Sequence, residues 1–185
     1  MSPMPGSFSA YLAAPIFDQH QLAVVDRLYQ ELQLRDFNVF SPYHASQDIF
    51  RGRPPSECTA EERALVIQGN ISNLHCWLLL AWVGGYEAGF TDPGVIWEMG
   101  YAAALSGAPA AWNNSPLRPL TLAYIDESDK RQSMNLMLSA TVDVVVKGIA
   151  DLRIALQLAR LCKYEALRER YHPRKVLGGE MEPVV

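Results

Sequence analysis

The sequence predicts an α/β protein: a doubly wound sheet of about five parallel strands flanked by helices, flavodoxin-like or Rossmann-like in plan. Three observations lead there. Short apolar runs of buried-strand length recur at residues 10–14, 38–40, 77–83, 120–125 and 142–146. Stretches with helical spacing separate them, the clearest being 19–34, where Leu22, Val25, Leu28, Tyr29 and Leu32 repeat at three- and four-residue steps. With 185 residues, 49% hydrophobic and 19% charged, the chain can bury one substantial core.

Residues 1–9 carry Pro, Gly and Ser and read as a flexible lead-in. The first strand ends at Pro15-Ile16-Phe17-Asp18, because proline cannot continue a central strand. The helix over 19–34 and the strand at 38–40 complete a β-α-β unit, which requires parallel strands and a right-handed crossover. Residues 43–58 are polar and broken by Gly52, Pro54 and Pro55, and read as a loop over the carboxyl edge of the sheet. Thr59, three residues before Glu62, matches a capping box opening a helix that runs to about Asn73. After the third strand comes a glycine-rich loop (84–90), then a third helix ending near 106–107. A short helix is expected around 135–138, and a single final helix from Leu152 to about Tyr171. The organisation is one domain over 10–172 with a tail at 173–185.

Composition excludes several classes. A net charge of −4 offers no basic surface for a nucleic-acid polymer or an anionic membrane. Cys58, Cys76 and Cys162 are odd in number, far apart and without metal-ligand spacing, so neither a disulfide framework nor a zinc site is expected. No leader pattern precedes the first strand, and the most apolar run is too short to span a bilayer. A cytoplasmic protein is the expectation.

The stretch 92–104, Asp-Pro-Gly-Val-Ile-Trp-Glu-Met-Gly-Tyr-Ala-Ala-Ala, organises the rest. Asp92 can cap a helix and Pro93 suits its first turn. Glu98 then stands among apolar and small residues, where a carboxylate must be paired, protonated or held ready for chemistry. The plain alternative is a glutamate facing solvent near the positive end of the helix.

Ligands of doubly wound sheets lie beyond the carboxyl ends of the strands. The segments expected there are 15–17, 41–44, 84–92 and 126–137. There is no P-loop, no G-x-G-x-x-G and no nucleophile elbow. His44 is the one histidine near the crevice, and a lone loop histidine is more often a surface residue than a catalyst. Carboxylates remain: Asp18, Glu87, Asp92, Glu98 and Asp126. Such a set suits glycosidic chemistry, in which one carboxylate attacks an anomeric carbon and another group handles the departing base.

Three motifs carry a resemblance: Tyr11-Leu12-Ala13-Ala14-Pro15-Ile16-Phe17, then Asp92-Pro93-Gly94 with Glu98-Met99-Gly100-Tyr101-Ala102, then Asn135-Leu136-Met137. In that order and spacing, across roughly three quarters of the chain, they resemble the nucleoside 2-deoxyribosyltransferase family. The resemblance implies a nucleophilic Glu98 that forms a covalent glycosyl-enzyme at C1′, a Tyr11 that orients it, and an Asp92 that holds substrate. Pro15, Phe17 and Gly94 belong to the same motifs and are expected at the substrate site. Asn135 and Met137 match the segment that members lend to a neighbouring subunit's site, which implies a homo-oligomer. Asn70 stands where members usually carry a base-contacting aspartate; an amide binds a base edge but transfers no proton.

The activity implied is transfer of 2-deoxyribose between nucleobases with retention, in nucleotide salvage, on small-molecule nucleosides and nucleobases and without cofactor or metal. Two alternatives accompany it. One is an N-glycoside hydrolase of nucleosides or nucleoside 5′-monophosphates, with Ser41, Arg51 and Arg53 available near a phosphate; the other is a non-catalytic nucleotide-binding sensor.

Overall fold

A computed structural model describes residues 8–84, 91–105, 119–127 and 140–176. Five parallel strands form one sheet among these residues: β1 (Phe8–Ala13), β2 (Phe37–Phe40), β3 (Leu78–Trp82), β4 (Leu120–Ile125) and β5 (Val144–Lys147). Their spatial order is β2-β1-β3-β4-β5. This is the flavodoxin-like doubly wound order, and its direction reverses between β1 and β3. The helices are α1 (Gln19–Gln33), α2 (Pro42–Phe50), α3 (Ala60–Asn73), α4 (Pro93–Ala104), α5 (Gly148–Arg160), α6 (Tyr164–Tyr171) and the short α7 (Pro173–Val176). The expected fold class and the five parallel strands are therefore present.

The strands are apolar almost throughout because both faces of the sheet are covered. Side chains alternate between the faces, as a two-residue period dictates. Ala10, Leu12, Leu78, Leu80, Trp82, Leu122 and Tyr124 pack under α1, α5 and α6. Tyr11, Ala13, Leu79, Ala81, Ala123 and Ile125 pack on the other side, under α4. Tyr11 therefore reaches the α4 face because of its parity in β1.

Local chemistry sets the helix starts. Asp18 caps α1 through the Gln21 amide at 2.8 Å, and the Gln21 side chain returns the bond to the Asp18 amide. Thr59 and Glu62 form the expected capping box of α3.

Two expectations are corrected. Residues 43–58 are not an irregular loop: most of the first half is α2, followed by a single 3-10 turn at Pro55–Glu57. Pro42 in the first turn favours the start, and left-handed Arg51 ends the helix. Only Ser46 of α2 is buried, so no apolar stripe announces it. The single helix expected over 152–171 is instead α5 and α6, parted where Cys162 takes a left-handed conformation (φ 54°). The apolar spacing runs on across that break and conceals it. The short helix expected at 135–138 lies outside the described residues.

Candidate active site

The strand order reverses between β1 and β3, the place where doubly wound sheets hold a ligand crevice beyond the carboxyl ends of the strands, and α4 packs against these two strands. Asp92 precedes α4 and accepts the Val95 amide on Oδ1 at 3.1 Å. Pro93 occupies the first turn. Gly94 leaves space that a side chain would take, since a Cβ there would lie 2.8 Å from Asp92 Oδ1. The glycine of the motif thus keeps the Asp92 carboxylate in its capping position.

Val95, Met99 and Ala102 form the buried stripe of α4, while Ile96 and Trp97 are exposed. Glu98 stands at the margin of that stripe, partly open to the crevice. The Tyr11 hydroxyl, reaching up from β1, donates to Glu98 Oε1 at 2.5 Å. Eighty-seven positions separate the pair in sequence. The Tyr11 ring is fully buried, with the Phe40 ring 5.4 Å away and tilted on the neighbouring strand.

The electrostatics of the pair follow from this packing. Removal from water pushes Glu98 up to about 7; the Tyr11 hydrogen bond opposes that rise and the nearby Asp92 charge adds to it. Tyr11 is pushed well above the ordinary phenol value, first by burial and then by the Glu98 charge, so it stays a neutral donor. Burial also pushes the Cys76 thiol up to about 12, which makes it inert as a nucleophile at neutral pH. With Oε1 held by Tyr11, Glu98 Oε2 takes no hydrogen bond among the described residues. A carboxylate poised near neutrality in a crevice is the setting expected of a nucleophile or an acid–base group.

The remaining predicted residues divide clearly. Pro15 is buried at the end of β1, whereas Phe17 is 67% exposed beside the crevice and offers an aromatic face. Asn70 lies in the last turns of α3 and is partly exposed. Its carbonyl accepts the Leu74 amide, and no hydrogen bond among the described residues ties its side chain to Tyr11, Asp92 or Glu98. Asn135, Met137 and Glu87 lie outside the described residues. Asp18 is occupied as a helix cap. Asp126 is engaged by Arg27 and by the Tyr124 hydroxyl at 2.7 Å, so it too serves the fold. His44 stacks on Tyr29 (4.1 Å) and pairs with Asp26 (3.2 Å), and no hydrogen bond among the described residues reaches the carboxylates of the crevice. Of the arginines considered for a phosphate, Arg53 bonds Glu62 at 2.6 Å.

One contributor, and the role of a second residue, escaped the motif reading. Phe40 walls the Tyr11 ring, and strand register was its available signal, since Phe40 is the partner of Tyr11 across β1 and β2. The steric role of Gly94 has no sequence signal beyond the glycine itself.

A parallel doubly wound sheet with a tyrosine-held glutamate at its switch point defines an α/β protein with a candidate catalytic carboxylate. The profile of the nucleoside 2-deoxyribosyltransferases matches residues 10–137 and spans every described member of the site, so the chain belongs to that family. Among solved structures, the fold is similar to that of the 2-deoxyribosyltransferase from the psychrotolerant bacterium Bacillus psychrosaccharolyticus. The TM-score is 0.60 at 20% identity, over 78% of this chain and 90% of that one. No curated protein matches the sequence. No helix among the described residues is long and apolar enough to cross a membrane.

Proposed function

We propose that the protein moves 2-deoxyribose from one nucleobase to another through a covalent glycosyl-enzyme on Glu98. The observation that carries this reading is the 2.5 Å bond from Tyr11 to a glutamate whose carboxyl is pushed up to about 7. In the first step Glu98 Oε2 attacks C1′ of a 2′-deoxynucleoside, the C1′–N bond breaks, and its electron pair leaves with the base. Asp92, next to Glu98 at the head of α4, serves the departing base and its proton. In the second step a nitrogen of another base attacks C1′ and gives its proton to Asp92, the C1′–O bond of the ester to Glu98 breaks, and the carboxylate is restored. Two inversions give net retention. The exposed ring of Phe17 supplies a stacking face for the base, and Asn70 a donor and an acceptor for its edge.

The same reading makes the protein a homo-oligomer in which Asn135 and Met137 complete a neighbouring subunit's site. Support comes from α3, which buries none of its residues and leaves Leu65 and Ile67 each 58% exposed, and from exposed Ile96 and Trp97 on α4. Three free cysteines suit a reducing compartment.

A deoxynucleoside incubated with and without a second base, with products separated by chromatography, tests the reaction. New nucleoside formed only when the second base is present is the expected result. Mass spectrometry after exposure to a 2-fluoro sugar nucleoside should place the trapped sugar on Glu98. Hydrolysis is the second reading, favoured by the absence of a transferable proton at Asn70; base-independent release of free deoxyribose would select it and reject transfer.

A further inference from the structure

The register of β1 and β2 sets two residue pairs along the α4 face of the sheet, and they differ in their access to water. Ser9 pairs with Asn38, and Tyr11 with Phe40. Parity puts all four side chains on one face: Phe40 packs with the Tyr11 cluster, while Phe37 and Val39 pack with the other. Asn38 is exposed and Ser9 partly so, whereas Tyr11 is fully buried. The sheet is thus wet two residues below the Tyr11–Glu98 pair and dry at the pair itself.

Topology accounts for the wet flank. Strand β2 is an edge strand, with β1 as its one neighbour in the sheet among the described residues. Helix α4 packs on β1 and β3, while α3 packs on α2 and buries none of its own residues. Neither helix closes the β2 flank, and Asn38 stays in water there. Phe40 stands at this flank one pair further along, its ring 5.4 Å from that of Tyr11 and tilted by 33°. It is itself partly exposed, so it separates a buried phenol from solvent.

We propose that Phe40 is a positioning residue that acts through Glu98: its ring shuts the open flank of the sheet and keeps water away from the Tyr11–Glu98 hydrogen bond. The inference rests on the transfer reading for what Glu98 does in the reaction, whereas the exclusion of water is a property of the free protein. Removal from water is the largest influence on the Glu98 carboxyl, which it raises from 4.5 to about 7 against the opposing Tyr11 bond. The titratable groups facing Glu98 among the described residues are Tyr11 on β1 and Asp92 at the head of α4, with Cys76 beside Tyr11. All three persist in Phe40→Ala. That substitution opens a gap to solvent beside a hydroxyl and a carboxylate, a polar setting that water enters. The Glu98 value then falls, whereas loss of the Tyr11 donor alone raises it. The sign separates the two roles.

Titration of the Glu98 carboxyl carbon resonance in the ligand-free, full-length protein tests this, with the resonance assigned by its loss in Glu98→Gln. The wild-type midpoint is expected at about 7. In Phe40→Ala it should fall by about one pH unit or more as water replaces the ring. In Phe40→Leu, which keeps an apolar wall, it should stay close to the wild type, and the acid limb of kcat/KM should follow the midpoint in each protein. A midpoint that stays or rises in Phe40→Ala overturns the inference, as does an equal fall in Phe40→Leu or a wild-type midpoint already at 4.5. If Phe40→Ala does not fold, Phe40→Thr, β-branched and suited to an edge strand, carries the same expectation. A midpoint that falls as expected in a protein without exchange activity supports the exclusion of water by Phe40 and rejects the transfer reading.

Discussion

Two glutamates, on two helices that cover opposite faces of the sheet, are set in opposite ways. Glu31 on α1 is buried and takes three guanidinium hydrogen bonds, and its carboxyl is held below the ordinary range, chiefly by Arg153. Glu98 on α4 has no cation beside it among the described residues; its partner is a neutral hydroxyl and its neighbour a second carboxylate, so it is pushed up. The helices differ in the same sense. Helix α1 is capped, amphipathic and buries Val24, Val25, Leu28 and Leu32, whereas α4 is apolar all round yet half-exposes Trp97. A carboxylate saturated by arginines fixes the fold. One largely removed from water, with a single neutral donor, has its carboxyl value raised, at a cost in stability.

Removing the Glu98 carboxylate should have the largest effect. Glu98→Ala should lower base exchange by about four orders of magnitude or more, as loss of a nucleophile does, with the circular dichroism spectrum unchanged; substantial residual exchange would reject Glu98 as the attacking group. The next effect is on stability and has the opposite sign to loss of function. The ordinary glutamate value of 4.5 is raised to about 7 in the fold. Below the lower value both states are protonated; between it and about 7 the unfolded chain gives up this proton while the folded state keeps it, so stability falls across that window and stays lowered above it. Glu98→Gln should therefore raise stability at pH 8 by on the order of 2 kcal/mol and change it little at pH 4, as measured by denaturant unfolding. Equal stability of the two proteins at both pH values would refute the desolvated setting.

Tyr11→Phe sharpens the comparison further. In the wild type kcat/KM should fall on the acid side of about pH 7 as Glu98 takes up a proton. The Tyr11 bond lowers the Glu98 value, so its loss should move that limb upward, by up to about one pH unit for a hydrogen bond of ordinary strength. A limb that stays in place or moves down would show that Tyr11 does not act on the carboxylate. The smallest effect should come from Glu31→Gln. A depressed carboxyl value stabilises the fold above about 4.5 and ceases to do so as pH falls through the folded value. The substitution should cost about 1 kcal/mol at pH 7, the partly exposed arginines screening the rest, and nothing below the folded value. Exchange activity should be unaffected, and a loss of turnover in Glu31→Gln would contradict the division of roles.

Much of this architecture was legible because it is written in local patterns. Strands buried on both faces read as continuous apolar runs, α1 shows its stripe, and Asp92-Pro93-Gly94 marks a helix start. Helix α2 escaped because it buries only Ser46 and owes its ends to proline and a left-handed arginine. The break at Cys162 escaped because a single backbone angle, with no glycine to mark it, interrupts a spacing that otherwise continues. At the site, motif order indicated Tyr11, Asp92 and Glu98, while the inventory of crevice carboxylates also held Asp18 and Asp126, which the fold uses as a cap and as an arginine partner.

The amino-acid sequence by itself determined the α/β class, the parallel order of elements and the family, because periodicity, caps and motif spacing are properties of neighbouring residues. Only the tertiary structure decided which carboxylate is poised. Its state depends on a hydroxyl 87 positions away, on the parity that turns Tyr11 toward α4, and on how much water packing removes, and none of these is a property of neighbouring residues.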